Sequence, residues 1–358
     1  MRFLIYLFLL CLTPLYASSN IADTILTHYQ QNFDKLPLEK QEHFALRAYR
    51  ISSHQTYLPT IIKYLHALHY EYQNLLSILH SPKKIRDETQ KMLESKILFS
   101  ILHSPREGIN KNILERKKNR VKKLTQYGNL LFYINTLIIT QKIYSYHLEN
   151  TLLFPRTDEF VKEIRKQLPQ LEKFILDKDN IKIFGSQLIN YVYFLYDLKL
   201  IDLRKPYTQL FQQTFPDSLD KKLKPLEYEG KIYGLTHFIT AASRYYQYYV
   251  NDEEFRWISN YFEKNIQEIL KRSENDVILE IGVCLMLLNK QDSPTVKTIK
   301  DYLITQYNPH YKMFPTRTHS FNFVFGEHRN ILAIMFFNWP HLLTPGPFFN
   351  EKLELISN

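Results

Sequence analysis

The chain has 358 residues, with 46 Lys and Arg against 36 Asp and Glu, and therefore a formal net charge of +10 at pH 7. This length allows one large domain or two ordinary ones and is ample for a sizeable hydrophobic core. A basic chain often binds nucleic acid. Here the Lys and Arg residues are scattered apart from one cluster at 116–123, which argues against a nucleic-acid interface.

Residues 1–17 have the pattern of a secretory signal peptide. Arg2 supplies a positive start, residues 3–12 form an unbroken apolar run, and Ala17 offers a small residue at the cleavage site. A membrane-spanning helix needs about 20 apolar residues, so this run is too short to act as an anchor. We therefore predict a periplasmic or secreted protein without a transmembrane anchor after cleavage, which also makes nucleic acid an unexpected partner.

The predicted mature chain, residues 18–358, retains a single cysteine, because cleavage removes Cys11 and leaves Cys284. No intramolecular disulfide can form, so stability must come from packing. Cys284 lies in a strongly apolar segment and is predicted to be a buried free cysteine rather than a catalytic thiol. The basic cluster at 116–123 is predicted to form the solvated face of a helix, and the net charge favours attraction to anionic glycans or membrane surfaces.

The spacing of the apolar residues is helical from end to end, and strand-like alternation is absent, which predicts an all-α fold. Short connections favour antiparallel helix hairpins packed side by side. The predicted helices are 20–33, 38–52, 58–80, 83–103, 109–126, 129–147, 157–176, 181–200, 206–214, 232–250, 253–272, 276–289, 294–307 and 327–338.

An identical hexapeptide, Ser-Ile-Leu-His-Ser-Pro, occurs at 77–82 and again at 100–105. Each copy is predicted to place its second serine at a helix N-cap and its proline at the first helical position. The longest irregular stretch, 215–231, is the best candidate for a subdivision. Because both flanking parts are helical, we interpret it as a long loop within a single domain spanning 18–358.

The first candidate site lies in segment 233–247. A continuous helix would align His237 and Arg244 on one stripe, with Tyr246 close by. Histidine is the usual proton-transfer residue near neutral pH, and arginine can hold a carboxylate in a bidentate manner. The alternative is a core histidine that makes one hydrogen bond.

The second candidate is Glu280, which interrupts the most apolar helix of the chain. A carboxylate there must be paired, hydrogen-bonded or protonated, because an isolated buried charge is very costly. Burial also raises the pKa of a glutamate, which allows it to act as a general acid near neutral pH. A structural ion pair with Arg244 or Arg329 explains Glu280 equally well.

The third and densest candidate is Glu327, His328, Arg329 and Asn330, which follow Gly326 and open an apolar helix. Together they supply an acid or base, a proton shuttle, an anion clamp and an amide beside the positive end of the helix dipole. Glutamate is common in the first turn of any helix. Four consecutive functional side chains are nevertheless more than capping requires.

The aromatic segment 309–325 could stack on sugar rings or pack on the neighbouring helices. His310, His319 and His328 recur every nine residues but do not form a His-x-x-x-His pair, so no metal site is expected. A Walker loop, a dinucleotide fingerprint and a G-x-S-x-G elbow are also missing, and no cofactor is expected.

Residues 227–340 resemble an uncharacterised family of exported bacterial proteins, a domain of unknown function. The resemblance rests on segments 234–237, 276–282 and 326–330. Helix hairpins with polar residues at the ends of inner helices are similar to the α/α toroid. That resemblance implies a complete or incomplete barrel of helix hairpins, as in glycoside hydrolases, polysaccharide lyases, terpenoid cyclases and lanthionine cyclases, although fold does not fix function.

The residues exclude some of these activities. Terpenoid cyclases need Asp-rich motifs and lanthionine cyclases need a zinc set with two cysteines, neither of which this chain can supply. Glycan-active enzymes are not excluded, and such an enzyme would act in a cleft formed by the helices of the carboxyl-terminal half. For a hydrolase, Glu280 and Glu327 are the natural carboxylate pair.

For a lyase acting on an anionic glycan, the resemblance implies a base, His237 or His328, with Tyr246, Arg329 and Asn330 beside it. Arg244 would add a further contact to the substrate. The opposing hypothesis is a non-catalytic helical protein, of the periplasm or cell surface, in which these residues form a buried network. We expect a neutral or anionic glycan as the partner of an enzyme, and a glycan, lipid or protein as the partner of the non-catalytic protein.

Overall fold

The computed structural model describes residues 20–102 and 111–349. The predicted signal peptide, 1–17, and residues 103–105 of the second hexapeptide lie outside the described residues. The chain divides into two compact units. Unit 1 comprises residues up to Tyr64 together with Ser243–Pro345, and unit 2 comprises Leu65–Ala242 together with the residues from Gly346 onward.

Unit 1 is assembled from two segments that lie far apart in the chain. Its helices are α1 (20–31), α2 (Leu38–Ser52), α13 (Asp252–Arg272), α14 (Asn275–Leu287), α15 (Pro294–Gln306) and α16 (Glu327–Phe337), and it includes the first turns of α3 (Leu58–Ile78). Helix α16 packs against both α2 and α14.

The contact between α14 and α16 depends on Gly282. A Cβ atom at this position would lie only 2.4 Å from the Phe336 ring, so the two helices approach as closely as they do because residue 282 has no side chain. Cys284 lies on the same helix and is a buried free cysteine, as predicted. Burial, together with the Glu280 carboxylate, raises the pKa of the Cys284 thiol well above its usual value, which keeps it unreactive.

Unit 2 contains the rest of α3 and the helices of the middle of the chain. They are α4 (Pro82–Leu102), α5 (Lys111–Leu124), α6 (Leu130–Ser145), α7 (Thr157–Lys166), α8 (Leu168–Ile175), α9 (Lys178–Phe184), α10 (Ser186–Asp197), α11 (Arg204–Thr214) and α12 (Pro225–Ala242). Helix α10 packs on α12 and α6, and α4 packs on α5 and α6.

The all-α prediction is confirmed, because residues 20–102 and 111–349 contain no β-strand and only one isolated bridge, between Asn308 and Met313. The first hexapeptide also has the predicted role: α4 begins at Pro82, and the Ser81 hydroxyl accepts a hydrogen bond from the Lys84 amide. The toroid arrangement and the single-domain interpretation stay predictions.

Several helix boundaries differ from the sequence prediction. The segment 157–176 is divided into α7 and α8 beside Pro169, and α9 is separated from α10 by Gly185, whose φ of 47° ends a right-handed helix. Segment 215–231 is not a long loop. It holds a 3₁₀ helix, Asp217–Lys222, and the first turns of α12, which begins at Pro225 because proline suits the first helical position.

The predicted helix 232–250 is eight residues too long at its carboxyl end, and the reason is a left-handed turn. Arg244, Tyr245 and Tyr246 have φ values of 52°, 57° and 71°. Three successive left-handed residues other than glycine cannot continue an α-helix. The prediction that His237 and Arg244 share one helical stripe is therefore wrong, since α12 ends at Ala242.

Candidate functional site

The centre of the candidate site in unit 1 is Glu327, at the start of α16. Its side chain is fully buried, with 0% exposure, yet it contacts two basic side chains of α2. Lys40 Nζ lies 3.1 Å from Glu327 Oε2, and His43 Nδ1 lies 2.7 Å from Glu327 Oε1. The preceding Gly326 allows the turn to close, because a Cβ atom there would lie 2.7 Å from the Asn322 carbonyl oxygen.

The partners of Glu327 reach solvent even though Glu327 itself does not. The side chain of Lys40 is 34% exposed and that of His43 is 25% exposed. When His43 Nδ1 carries the proton and donates to Glu327, its second ring nitrogen is the basic one. A buried carboxylate that orients a part-exposed imidazole is an arrangement suited to proton transfer.

His328 is the next residue on α16 and lies beside this pair. Its ring centroid is 5.3 Å from that of His43, with the ring planes tilted by 54°. Burial lowers the pKa of His328 well below its usual value, and the nearby His43 and Arg47 lower it further, against smaller opposing effects of Asp276 and Glu327. His328 is therefore neutral at pH 7 and can accept or donate a hydrogen bond without a charge.

Arg329 and Asn330, predicted to contact substrate, hold the preceding segment of the chain. Arg329 Nε donates to the Phe314 carbonyl oxygen at 3.3 Å. The fully buried Asn330 accepts from the Phe314 amide at 2.9 Å and donates to the Gly326 carbonyl at 2.8 Å and to the Tyr29 hydroxyl at 3.4 Å. These contacts fasten the aromatic segment to the first turn of α16.

A second buried carboxylate, Glu280 on α14, is 2% exposed. The Tyr246 hydroxyl donates to Glu280 Oε1 at 3.5 Å, and the Arg47 guanidinium lies 5.4 Å from the centroid of the Tyr246 ring. Burial raises the pKa of Tyr246 far above its usual value, and Glu280 raises it further. Tyr246 is thus a hydrogen-bond donor at neutral pH rather than a base.

The left-handed turn 244–246 places Tyr246 in this position. The Ser243 hydroxyl accepts from the Tyr246 amide at 2.9 Å, and Arg50 of α2 donates to the Tyr245 carbonyl oxygen. Left-handed residues other than glycine each cost about 1–2 kcal/mol. Strain of this kind is found mainly at functional positions. Arg244 is exposed and accepts at its carbonyl from the Gln247 side chain.

His237 lies in unit 2, whereas Glu280, Glu327 and His328 lie in unit 1. On α12, His237 Nδ1 is 2.8 Å from Asn190 Oδ1 of α10. Its ring is half-buried between these helices. This contact is of the kind expected of a histidine that is hydrogen-bonded within a helical core.

The sequence reasoning missed the contribution of α2. Lys40, His43, Arg47 and Arg50 recur every three or four residues and therefore share one face of this helix. That spacing was visible in the sequence: a stripe of basic residues on the side of a helix that otherwise packs against the core predicts buried acidic partners. We call these four residues the α2 basic stripe.

Arg47 follows His43 by about one turn on the stripe and is buried. It is 9% exposed and donates from Nη1 to the His43 carbonyl oxygen at 3.2 Å. Its Nε is buried and has no hydrogen-bond acceptor among the described residues. A buried guanidinium nitrogen without an acceptor is costly, and an anionic group at this point would satisfy it.

The residues that the structure describes contain no group of three or more His, Cys, Asp or Glu side chains arranged to hold a metal ion. In the same part of the chain, no helix is both long enough and apolar enough to cross a membrane.

Comparison with known proteins places the chain in a family. The model of a domain of unknown function, DUF3541, matches residues 18–358. The protein belongs to the DUF3541 family. No curated protein and no solved structure matches it, so the family membership does not bring a biochemical activity with it.

Proposed function

We propose that this DUF3541 protein is an exported enzyme that acts on an anionic glycan by proton transfer, in the manner of a polysaccharide lyase. The observation that carries the proposal is the contact between Glu327 and His43, in which a fully buried carboxylate orients a part-exposed imidazole. Export is proposed from residues 1–17, whose pattern is that of a cleavable signal peptide.

The proposed reaction is a β-elimination from a uronate unit. His43 removes the proton from the carbon next to the substrate carboxylate, the electrons of that C–H bond form a double bond, and the glycosidic C–O bond breaks. The departing oxygen takes a proton from Lys40 or from water. His43 returns its proton to solvent, which is possible because its side chain is 25% exposed.

The α2 basic stripe supports an anionic substrate. A proton next to a carboxylate becomes acidic only when the carboxylate is neutralised by a cation or by hydrogen bonds. Arg47, with its buried unbonded Nε, and Lys40 are the cations closest to His43 along the stripe. The net positive charge of the chain favours the same class of substrate.

Within the glycan-active class, burial favours elimination over hydrolysis. A glycosidase needs two carboxyl groups on either side of the scissile bond. Glu280 and Glu327 are 2% and 0% exposed, and each is engaged by a neighbouring side chain. The acid or base that can meet a substrate is therefore His43, and Glu327 is proposed as its positioning residue.

The test is a screen of the mature protein, residues 18–358, against anionic and neutral polysaccharides, read by the ultraviolet absorbance of unsaturated uronates and by new reducing ends. We expect both signals from an anionic polymer. His43→Gln should lower kcat/KM by about 10²–10⁴-fold. Its fall in thermal midpoint should be no larger than that of Glu327→Gln, because the glutamine amide can still donate a hydrogen bond to Glu327. The matched control is His54→Gln, an exposed histidine just after α2, which should retain full activity.

Two results would contradict the proposal. Reducing ends without unsaturated uronate would indicate hydrolysis, and full turnover by His43→Gln would remove His43 as the base.

A non-catalytic glycan-binding protein is the second candidate. Lys40 and His43 of α2 each contact one oxygen of Glu327, and the Asn330 side chain hydrogen-bonds to the Phe314 amide and the Gly326 carbonyl, both in the segment that precedes α16. A network of this kind is also explained by a purely structural role, in which it fixes the register of the helices. Retention of an anionic polysaccharide by the parent protein without any product, and equal retention by His43→Gln, would favour this candidate over the lyase.

A further inference from the structure

The aromatic segment 309–325 of unit 1 presents an exposed pair of stacked rings. Tyr311 stacks on Phe321, with ring centroids 4.1 Å apart and ring planes within 11° of parallel. Tyr311 is 48% exposed and Phe321 is half-buried, so Tyr311 is the outer ring of the pair. We call Tyr311, Phe321 and the adjacent Lys312, which is also exposed, the Tyr311 platform.

A tight turn holds Tyr311 in place. Asn308 and Met313 form an isolated antiparallel bridge at its base. Asn308 Oδ1 accepts hydrogen bonds from the backbone amides of His310 and Tyr311, at 3.0 and 3.1 Å. Lys312 closes the turn with a φ of 53°, in the left-handed region. An aromatic side chain on an ordered turn loses little conformational freedom when a ligand binds, so less of the binding free energy is spent on ordering.

The platform is connected to the first turn of α16 by direct packing. Met313 follows Lys312, and a Cβ atom at Gly326 would lie 3.0 Å from Met313 Cε. The turn therefore packs against the residue that precedes Glu327. Phe325, which comes just before Gly326, is itself 48% exposed. The segment that carries the platform thus leads, through a second exposed ring, to the start of the candidate site.

The charges around the platform favour an anionic ligand. His28 of α1 lies edge-on to Phe323, with ring centroids 5.5 Å apart. Burial lowers the pKa of His28, and repulsion from Lys312 and Lys35 lowers it further, so two ammonium groups act on the same place. Lys35 Nζ donates to the neutral Asn32 side chain at 2.6 Å. Neither lysine has an ion-pair partner in the described part of the chain.

One acidic residue reduces this positive charge. Asp34 precedes Lys35 and is exposed. Counted in full against Lys35 and Lys312, it still leaves one positive charge beside the platform. One charge suits a ligand with a single carboxylate on each unit, such as a uronate sugar, rather than a phosphate ester.

We propose that the Tyr311 platform is a subsite for one uronate unit of an anionic glycan, whose ring stacks on Tyr311 and whose carboxylate meets Lys312. The face of a sugar ring carries weakly positive C–H groups, which are attracted to the negative face of an aromatic ring. Exposed polar residues such as His310 and Asn322 flank the exposed rings in the chain, unlike the contiguous apolar patch of a protein or membrane contact. The subsite rests on the proposed function for the class of its ligand, and it extends the bound glycan beyond the sugar at His43.

The experiment measures binding rather than turnover, by affinity electrophoresis of the mature protein in gels that contain polygalacturonate, alginate, hyaluronan or neutral dextran. Tyr311→Ala should weaken binding of the retained anionic polymer by about fivefold to tenfold, and Tyr311→Phe should retain it, because stacking needs the ring and not the hydroxyl. Lys312→Gln should weaken the same binding by about threefold to tenfold. The matched controls are Tyr248→Ala and Lys264→Gln, which change an exposed tyrosine and an exposed lysine of unit 1 outside the platform.

Weaker binding of an anionic polymer by Tyr311→Ala, with both control variants unchanged, would support the subsite whether or not the parent protein releases product. No retention of the parent by any of the three anionic polymers, equal retention by dextran, or equal weakening in Tyr311→Ala and Tyr248→Ala would overturn it. Unsaturated uronate formed with the same KM by the parent and by Tyr311→Ala would overturn the subsite and leave the proposed function standing. Failure of the proposed function is read separately, as retention without any product.

Discussion

Replacement of Glu327 by glutamine is the sharpest test of the network in unit 1. The substitution keeps the shape of the side chain but removes the charge that faces Lys40 and His43. Removing one partner of a buried ion pair typically costs about 3–5 kcal/mol, because the remaining charge is left uncompensated. Here the remaining partners keep 34% and 25% of their surface in water, so hydration offsets part of the loss.

We therefore expect Glu327→Gln to lower the free energy of unfolding by about 2–3 kcal/mol. For a chain of this size that corresponds to a fall in the thermal midpoint of about 3–4 °C. The assay is urea and thermal unfolding, followed by circular dichroism in the far ultraviolet. The matched control is Glu254→Gln, on an exposed glutamate of α13, which should cost less than about 0.5 kcal/mol.

A cost for Glu327→Gln no larger than that of Glu254→Gln would refute this reasoning, since it would mean that Lys40 and His43 contribute nothing through Glu327. A cost above about 5 kcal/mol would mean that the partners are not hydrated after the change.

Three further predictions concern His328, the glycines Gly282 and Gly230, and Arg244. The fold lowers the pKa of His328, so as the pH falls the unfolded chain protonates this imidazole before the folded protein does. The free energy of unfolding should therefore decrease by up to about 1.4 kcal/mol per pH unit below pH 6.5. Urea midpoints at pH 7.5, 6.5 and 5.5 measure this loss, and His328→Gln should make it shallower; an unchanged slope would exclude His328 as its source. Gly282→Ala should destabilise the protein by about 1–3 kcal/mol, because the new Cβ would lie 2.4 Å from the Phe336 ring. Gly230→Ala should stabilise it by about 0.5–1 kcal/mol, because the new Cβ would lie 4.0 Å from the nearest atom and alanine favours a helix more than glycine does. Equal thermal shifts for the two alanine variants would contradict the packing argument. Arg244→Gly should stabilise by about 0.5–1 kcal/mol, since glycine adopts the φ of 52° without steric cost, and a loss of stability in urea would show that the Arg244 side chain outweighs the strain.

Helix bounds were predicted accurately where the apolar periodicity and the residues that start or end a helix are clear. The predicted helix 38–52 coincides with α2, and 253–272 differs from α13 by one residue. The end of α12 could not be predicted, because neither glycine nor asparagine marks the turn at 244–246. That turn is held by tertiary contacts, namely the bond from Arg50 to Tyr245 and that from Tyr246 to Glu280.

The candidate site was predicted only in its carboxyl-terminal half. The segment 326–330 was recognised because functional side chains occur there in succession. Its partners on α2 lie 284 and 287 residues away in the chain, and a single sequence does not show which distant residues will meet. The one sequence signal for them is the periodic spacing of the α2 basic stripe. Basic residues on a packed helix face predict acidic partners elsewhere in the chain, but not which acidic residues these are.

The discontinuous course of unit 1 has a consequence for how the protein is made. Residues 65–242 emerge during synthesis before the carboxyl-terminal part of unit 1 exists, so unit 2 can begin to fold while α2 still lacks α16. Contacts so distant along the chain are slow to form, because the loop between them must be closed first. We expect a nascent chain that stops before residue 327 to leave the α2 basic stripe without its carboxylate and open to proteases, and full-length chain to protect it. The arrival of α16 would thus determine when α2 reaches its native contacts.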